Sequence, residues 1–326
     1  MKITAGGVVR GGAAAWLLAA SSWAAAQAFP SKTVRLVVPF AAGGSNDVVA
    51  RAMAPALSQA FGQSVVVENR PGGNTLIGTE AVVRSPADGH TVLIAGFTMA
   101  SMTALRTKLP FEPLRELAGI TRLGTQPFVL SVHPSLPVKS IAELVALART
   151  RPSQLVYAVN GYGSAQHLSG ELLKFRNGID MRLVVFPGGA PSTVAVLGGH
   201  ASVLISTVVP ILQHVASGKL RALAVTSAVR SSLIKDVPTM MEAGQKDFDM
   251  SGAMGVFAPA ATPRPTMERF NAEVTRALAL PEVRDGMLRD GFVVSPIGLA
   301  EFDAFMRAKV KQIQMIAKAA NLKTDY

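Results

Sequence analysis

Three times in this chain a short apolar run ends in a cluster of glycine and small residues and gives way to helical spacing. The clusters are residues 41–45, 160–164 and 188–192. A strand that stops at a small-residue turn and restarts as a helix is the unit of a sheet with helices on its faces. The first unit begins at once. Val34-Arg35-Leu36-Val37-Val38 is short, apolar and rich in β-branched residues, and residues 46–61 carry Val48, Val49, Ala52, Met53, Ala56, Leu57, Ala60 and Phe61 at helical period. Ser45 suits the N-cap and Gly62 the C-cap. A strand over 64–68, a turn over 70–74, a helix over 77–84 and a strand over 91–95 complete βαβαβ. A second half repeats the plan. It has strands over 128–132, 155–159, 182–186, 202–205 and 220–226, and helices over 165–175 and from 192 onward. A further helix runs from Ser140 to about residue 149, and Ser140 with Glu143 forms a capping box. A strand over 255–258 and helices over 263–278 and 300–320 follow. The expected class is α/β, with mixed, mostly parallel sheets flanked by helices.

Length fits that division, because 326 residues make roughly two domains of about 150. Residues 1–28 read differently. Lys2 and Arg10 give a positive start, residues 11–20 are apolar, and Ser21-Ser22-Trp23-Ala24-Ala25-Ala26-Gln27-Ala28 is rich in small residues. That is the order of a secretory signal peptide, with cleavage after Ala26 or Ala28. The apolar run is about half of the ~20 residues a bilayer span needs. Removal of Lys2 and Arg10 leaves 30 basic against 21 acidic residues, a net charge of +9, and removal of Trp16 and Trp23 leaves no tryptophan. The absence of cysteine excludes disulfides, thiolate metal sites and a lipoprotein anchor. The expectation is an exported protein in the periplasm without a membrane anchor. Its positive charges are scattered and lack interleaved aromatics, which argues against nucleic acid and leaves attraction of small anions or plain solubility.

The glycine turns carry the chemistry. The first N–H groups of a helix lack internal partners, the helix dipole adds partial positive charge, and glycine lets a ligand approach the backbone. Such an end accepts a carboxylate as readily as a phosphate. Two such turns in two separate halves suggest a cleft with opposed anion-binding edges. Enzyme signatures are missing. In Gly161-Tyr162-Gly163-Ser164-Ala165 the serine is one position away from G-x-S-x-G, and Gly161-x-Gly163-x-x-Gln166 fails the dinucleotide fingerprint at its third glycine. No P-loop and no paired His of a zinc helix occurs, so no catalytic residue, metal or cofactor is called for. An exported hydrolase would have to rest on Ser164 with His167.

The segments Phe29-Pro30-Ser31-Lys32, Val37-Val38-Pro39-Phe40-Ala41-Ala42-Gly43-Gly44-Ser45-Asn46-Asp47 and Val66-Val67-Glu68-Asn69-Arg70-Pro71-Gly72 carry a resemblance. So do Ala87-Asp88-Gly89-His90-Thr91, Gly161-Tyr162-Gly163-Ser164 with His167, Gly218-Lys219-Leu220-Arg221-Ala222-Leu223-Ala224-Val225-Thr226-Ser227, Asp236-Val237-Pro238-Thr239, Glu242-Ala243-Gly244 and Phe257-Ala258-Pro259-Ala260-Ala261-Thr262-Pro263. In this order they resemble the substrate-binding proteins of the tripartite tricarboxylate transporter family, the Bug-type receptors. The resemblance covers residues 29–326. It implies a type II-like clamshell with domain one over 29–125 plus 255–326 and domain two over 126–254. It implies a small carboxylate held by Phe40, Ala41, Ala42, Gly43, Gly44, Ser45, Asn46 and Asp47, partly through water, with opposing contacts from Asn160, Gly161, Tyr162, Gly163 and Ser164. Thr98 and His167 are further candidates. Asp47 serves the helix dipole or orients the loop, and His167 is either structural or a cleft contact. Tyr162, between two glycines, is expected at an exposed loop tip. Where relatives commonly carry an Asp facing the cleft, Ser206 aligns, which disfavours ligands with an amino group. An aromatic common before the last crossover aligns with Ala253, which enlarges the pocket there. The partners implied are the large and small permease subunits of an ion-driven transporter, served by a monomeric receptor. An orphan receptor feeding a sensory partner is the alternative.

Overall fold

The computed structural model describes residues 29–322, and the expected signal segment, residues 1–28, lies outside the described residues. Strands β1 (Val34–Val38), β2 (Val65–Asn69) and β3 (Thr91–Gly96) pair in parallel, with helices α1 (Ser45–Phe61) and α2 (Leu76–Val83) between them. Helices α3 (Phe97–Leu105) and α4 (Pro113–Glu116) lead into β4 (Leu117–Gln126). One residue later the chain enters the second sheet at β5 (Phe128–Val132). That half continues through α5 (Ile141–Thr150), β6 (Val156–Val159), α6 (Ala165–Asn177), β7 (Arg182–Val185), α7 (Gly189–Leu197) and β8 (Val203–Thr207). A 3-10 turn (Val209–Ile211), α8 (Leu212–Ala216) and β9 (Arg221–Val225) complete it. The chain returns along β10 (Gly252–Pro259) and finishes with α9 (Arg264–Ala279), α10 (Pro281–Arg289), β11 (Val293–Ile297) and α11 (Leu299–Ala319).

The sheet orders are β11-β4-β10-β3-β1-β2 and β7-β6-β8-β5-β9. Both are mixed, but parallel pairing is a smaller share than expected: among the described residues four of the nine strand pairs are parallel. The antiparallel pairs of the first sheet join β4 and β10 to each other and to their outer neighbours β11 and β3, and those of the second join β5 to β8 and β9. Strand β4 was not expected from the sequence. Gly119, Arg122 and Gly124 interrupt its apolar run, yet the glycines have a packing reason. A Cβ on Gly119 would lie 2.6 Å from the Phe302 ring, and one on Gly255 of β10 would lie 2.2 Å from it. Phe302 thus seats α11 directly on the two crossing strands. Helices α3, α4 and α10 and strand β11 were also unforeseen, being short or weakly periodic.

Local signals elsewhere hold. Gly62 ends α1 in the left-handed conformation at φ 64°. Ser140 Oγ accepts the Glu143 N–H at 3.1 Å, and Glu143 Oε2 accepts the Lys139 N–H at 2.7 Å. Two ends shift by a turn residue or more: Gly44, not Ser45, is the N-cap of α1, and α7 begins at Gly189 inside the expected third turn.

The core is layered. One apolar cluster packs α1, α9 and α10 on the first sheet. Another packs α7 and the 3-10 turn on the second. Between them a single cluster continues from Leu93, Met99 and Phe257 through Ile313 and Ile316 of α11 to Leu130, Tyr157 and Leu168. The two halves therefore share buried surface along the crossing. No helix among the described residues is long and apolar enough to cross a membrane.

Candidate functional site

The first and second glycine turns are built alike. Gly43 (φ 82°) and Gly163 (φ 70°) both take the left-handed backbone that favours glycine. Each is followed by an extended N-cap residue, Gly44 or Ser164, and then by a helix. Four residues beyond each glycine, a buried side chain reaches back to it. Asp47 Oδ2 accepts the Gly43 N–H at 2.9 Å, and His167 Nδ1 accepts the Gly163 N–H at 3.0 Å. A side chain on the first helical turn thus fixes the backbone just outside the helix, in both halves.

The braces differ in charge. Burial would raise the Asp47 pKa, but hydrogen bonds from Arg51 and the Gly43 N–H outweigh it and hold the carboxyl below its usual value. Arg51 Nε donates to Asp47 Oδ2 at 3.0 Å, while Arg51 also donates to Asn69 Oδ1 at 2.9 Å. Asn69 Nδ2 in turn donates to the Phe40 carbonyl at 3.2 Å, so the turn is held at both ends. His167 is fully buried, and burial pushes it down from 6.5 to about 4. It is neutral near pH 7, as an acceptor at Nδ1 must be. Its Nε2 stands 4.0 Å from Glu171 Oε1, beyond hydrogen-bond distance, and that oxygen accepts from the Tyr157 hydroxyl and from Lys174 Nζ at 3.0 Å. Burial and the adjacent Glu171 raise the Tyr157 pKa.

The helix ends are not equally open. Gly44 supplies no side-chain cap to α1, whereas Ser164 Oγ accepts the His167 N–H at 3.2 Å. The first N–H groups of α1 are therefore the freer anion seat. Ser164 Oγ donates to the Gly161 carbonyl at 2.7 Å rather than to an imidazole nitrogen. With His167 Nδ1 held by Gly163, the Ser164–His167 arrangement is not a nucleophile–base pair.

Both turns face one cleft of about 540 Å³. Of the expected residues, Phe40, Gly44, Ser45, Asn46, Thr98, Asn160 and Ser164 line it. Ala41, Ala42, Gly43, Asp47, Gly161, Tyr162, Gly163, His167 and Ser206 do not. Tyr162 is half-buried, not an exposed tip, because its ring packs 4.5 Å from His167. Ser206 turns its hydroxyl to the Thr207 carbonyl, and Thr207 is the lining residue of β8. Ala253 lies on the lining where the missing aromatic was placed. Two buried polar atoms, Thr98 Oγ1 in the first half and Asn160 Oδ1 in the second, lack a hydrogen-bond partner among the described residues. Sequence reasoning missed Gly96, Gln166 and the wall formed by Gln126, Phe128, Gly252, Arg289, Asp290 and Phe292. Gln166 was open to inference, since it matches Asn46 in the paired turns. Gly96 has a backbone reason: a Cβ there would lie 1.6 Å from the Ala253 carbonyl oxygen.

Comparison with known proteins places this geometry. Residues 49–322 match the family described as tripartite tricarboxylate transporter family receptor. The chain is 35% identical over 268 residues to Protein BugT of Bordetella pertussis, covering 82% of each. A solved structure of Rpa4515 from R. palustris with adipate is 31% identical with a TM-score of 0.74, covering 90% of this chain and 98% of that one. MatC from Rhodopseudomonas palustris with bound malate is 28% identical with a TM-score of 0.71, covering 88% and 99%. This is a family of substrate-binding receptors, not of enzymes, and the chain belongs to the tripartite tricarboxylate transporter receptor family.

Proposed function

We propose that this protein is a periplasmic receptor that closes two lobes on a small carboxylate and hands it to the permease subunits of a tripartite tricarboxylate-type transporter. The lobes are residues 29–125 with 255–326, and residues 126–254. Residues 1–28 direct export and are removed, and the receptor works as a monomer. The observation that carries the reading is the pair of equally braced glycine turns facing one cleft, with the uncapped N-terminus of α1 on one side. The family and the dicarboxylates bound by its relatives Rpa4515 and MatC support it. The ligand carboxylate sits on the N–H groups of Ser45 and Asn46, with Thr98 and Asn160 supplying side-chain contacts from either wall. Asp47 and His167 act behind the surface by holding Gly43 and Gly163, and Ala41, Ala42, Gly161 and Tyr162 shape the turns.

A thermal-shift screen of the refolded 29–326 protein against mono-, di- and tricarboxylates and acidic amino acids tests this. Ligand at 100 times its Kd stabilises by about 2.7 kcal/mol, a shift of at least a few degrees. Silence across the whole carboxylate panel would sink the reading.

A further inference from the structure

One wall of the cleft comes from a part of the chain far along the sequence from the glycine turns. Arg289, the last residue of α10, lines the cleft with Asp290 and Phe292. It is the only cationic side chain on the lining among the described residues. It is exposed, and among the described residues its guanidinium has no hydrogen-bond, ion-pair or ring partner. Neighbouring Arg284 on the same helix, by contrast, approaches Asp285 at 3.6 Å.

The wall is fixed from both halves. Gln126 Nε2, where β4 leaves the first sheet, donates to the Asp290 carbonyl at 2.9 Å. Gly291 (φ 80°) packs so close to the second half that a Cβ on it would lie 3.3 Å from Val209. The segment that follows Arg289 is thus fixed where the two sheets meet. A guanidinium pairs with a carboxylate in a planar, two-point geometry. Asp290 also faces the cleft without a side-chain partner among the described residues. As the C-cap of α10 its backbone is fixed and its side chain is short, whereas Arg289 carries a long side chain with five donors.

We propose that Arg289 is a specificity-determining residue that engages a second anionic group, at the end of the ligand remote from the glycine turns. A monoanion of the same length satisfies the turns but leaves Arg289 in water. This inference rests on the carboxylate-receptor reading above.

Matched six-carbon probes test it by isothermal titration of the refolded 29–326 protein: adipate, hexanoate and 6-aminohexanoate. The wild type is expected to bind adipate at least tenfold more tightly than hexanoate. In Arg289→Gln that ratio is expected to fall by tenfold or more, and Arg289→Lys to restore part of it. Thermal melts of both variants check the fold. An unchanged adipate-to-hexanoate ratio in Arg289→Gln would overturn the assignment and leave Arg289 as a helix-end cation. Preference for 6-aminohexanoate, lost in Asp290→Asn, would also overturn it by making Asp290 the reader. Failure of the wild type to bind any of the three, together with silence in the carboxylate screen, would remove the underlying reading and this inference with it.

Discussion

Asp47 and His167 do the same mechanical work with opposite chemistry. Each takes one glycine N–H, but an aspartate keeps its acceptor when ionised, whereas a histidine must stay neutral to offer Nδ1. The consequence is a one-sided pH response. The folded His167 pKa is lowered, from 6.5 to about 4, so between those values the unfolded chain binds the proton that the native state refuses. Its contribution is complete above pH 6.5 and lost as the pH falls toward 4, approaching about 3 kcal/mol there. Urea denaturation across pH 4–7 is expected to show this loss in the wild type and a flatter profile in His167→Gln. Equal slopes in both would mean that another group titrates in the window.

At the scale of elements, α3 joins the halves. It starts at the end of β3, carries Thr98 on the cleft, and one turn on carries Ser101. Ser101 is buried, and its Oγ donates 2.8 Å to the carbonyl of Gly163, in the opposite half. The second glycine turn is thus gripped on both polar groups of one residue, the N–H by His167 and the carbonyl by Ser101. A hydrogen bond of this kind contributes about 1 kcal/mol net, and more when its loss leaves a buried acceptor unpaired. Ser101→Ala is expected to weaken carboxylate binding roughly five- to tenfold while lowering the melting temperature only slightly. Titration beside the wild type measures both, and unaltered affinity would show that the bond does not position the turn.

Across the whole molecule, the shared core and α11 limit how the halves can move. Lys309 is buried, and its Nζ donates 2.7 Å to the Asp249 carbonyl just before the chain crosses back at β10. Burial lowers its pKa, and Asp249 works against that shift. Phe302 covers the glycines of both crossing strands. The seam is therefore a packed layer, and motion is expected as rotation about residues 126–128 and 250–252, with the lobes moving as units. Small-angle scattering with a saturating carboxylate that scores in the thermal-shift screen is expected to show a smaller radius of gyration than without it. An unchanged radius with binding confirmed by calorimetry would mean the lobes do not close on the ligand.

Much of the design is written locally. Gly43 and Gly163, the capping serines Ser140 and Ser164, and the helical stripe of α1 each act through neighbours a few residues away, so strand–turn–helix order and the two glycine turns were readable from the sequence. For Asp47 loop orientation and for His167 a structural role were among the readings open from the sequence, but the choice between these and a cleft contact was not, because the direction of a side chain depends on what packs around it. Strand β4 escaped because its glycines answer Phe302, far along the chain. Tyr162 was misplaced because its ring finds His167 only once α6 is packed. The wall bearing Arg289 left no local trace, since nothing near residue 289 in sequence says that α10 ends at the seam between two sheets. Short-range hydrogen bonding and periodicity set the turns and helices. Which charge faces the cleft was decided by tertiary packing, which alone brings the C-terminal part of the chain to the place where the two halves meet.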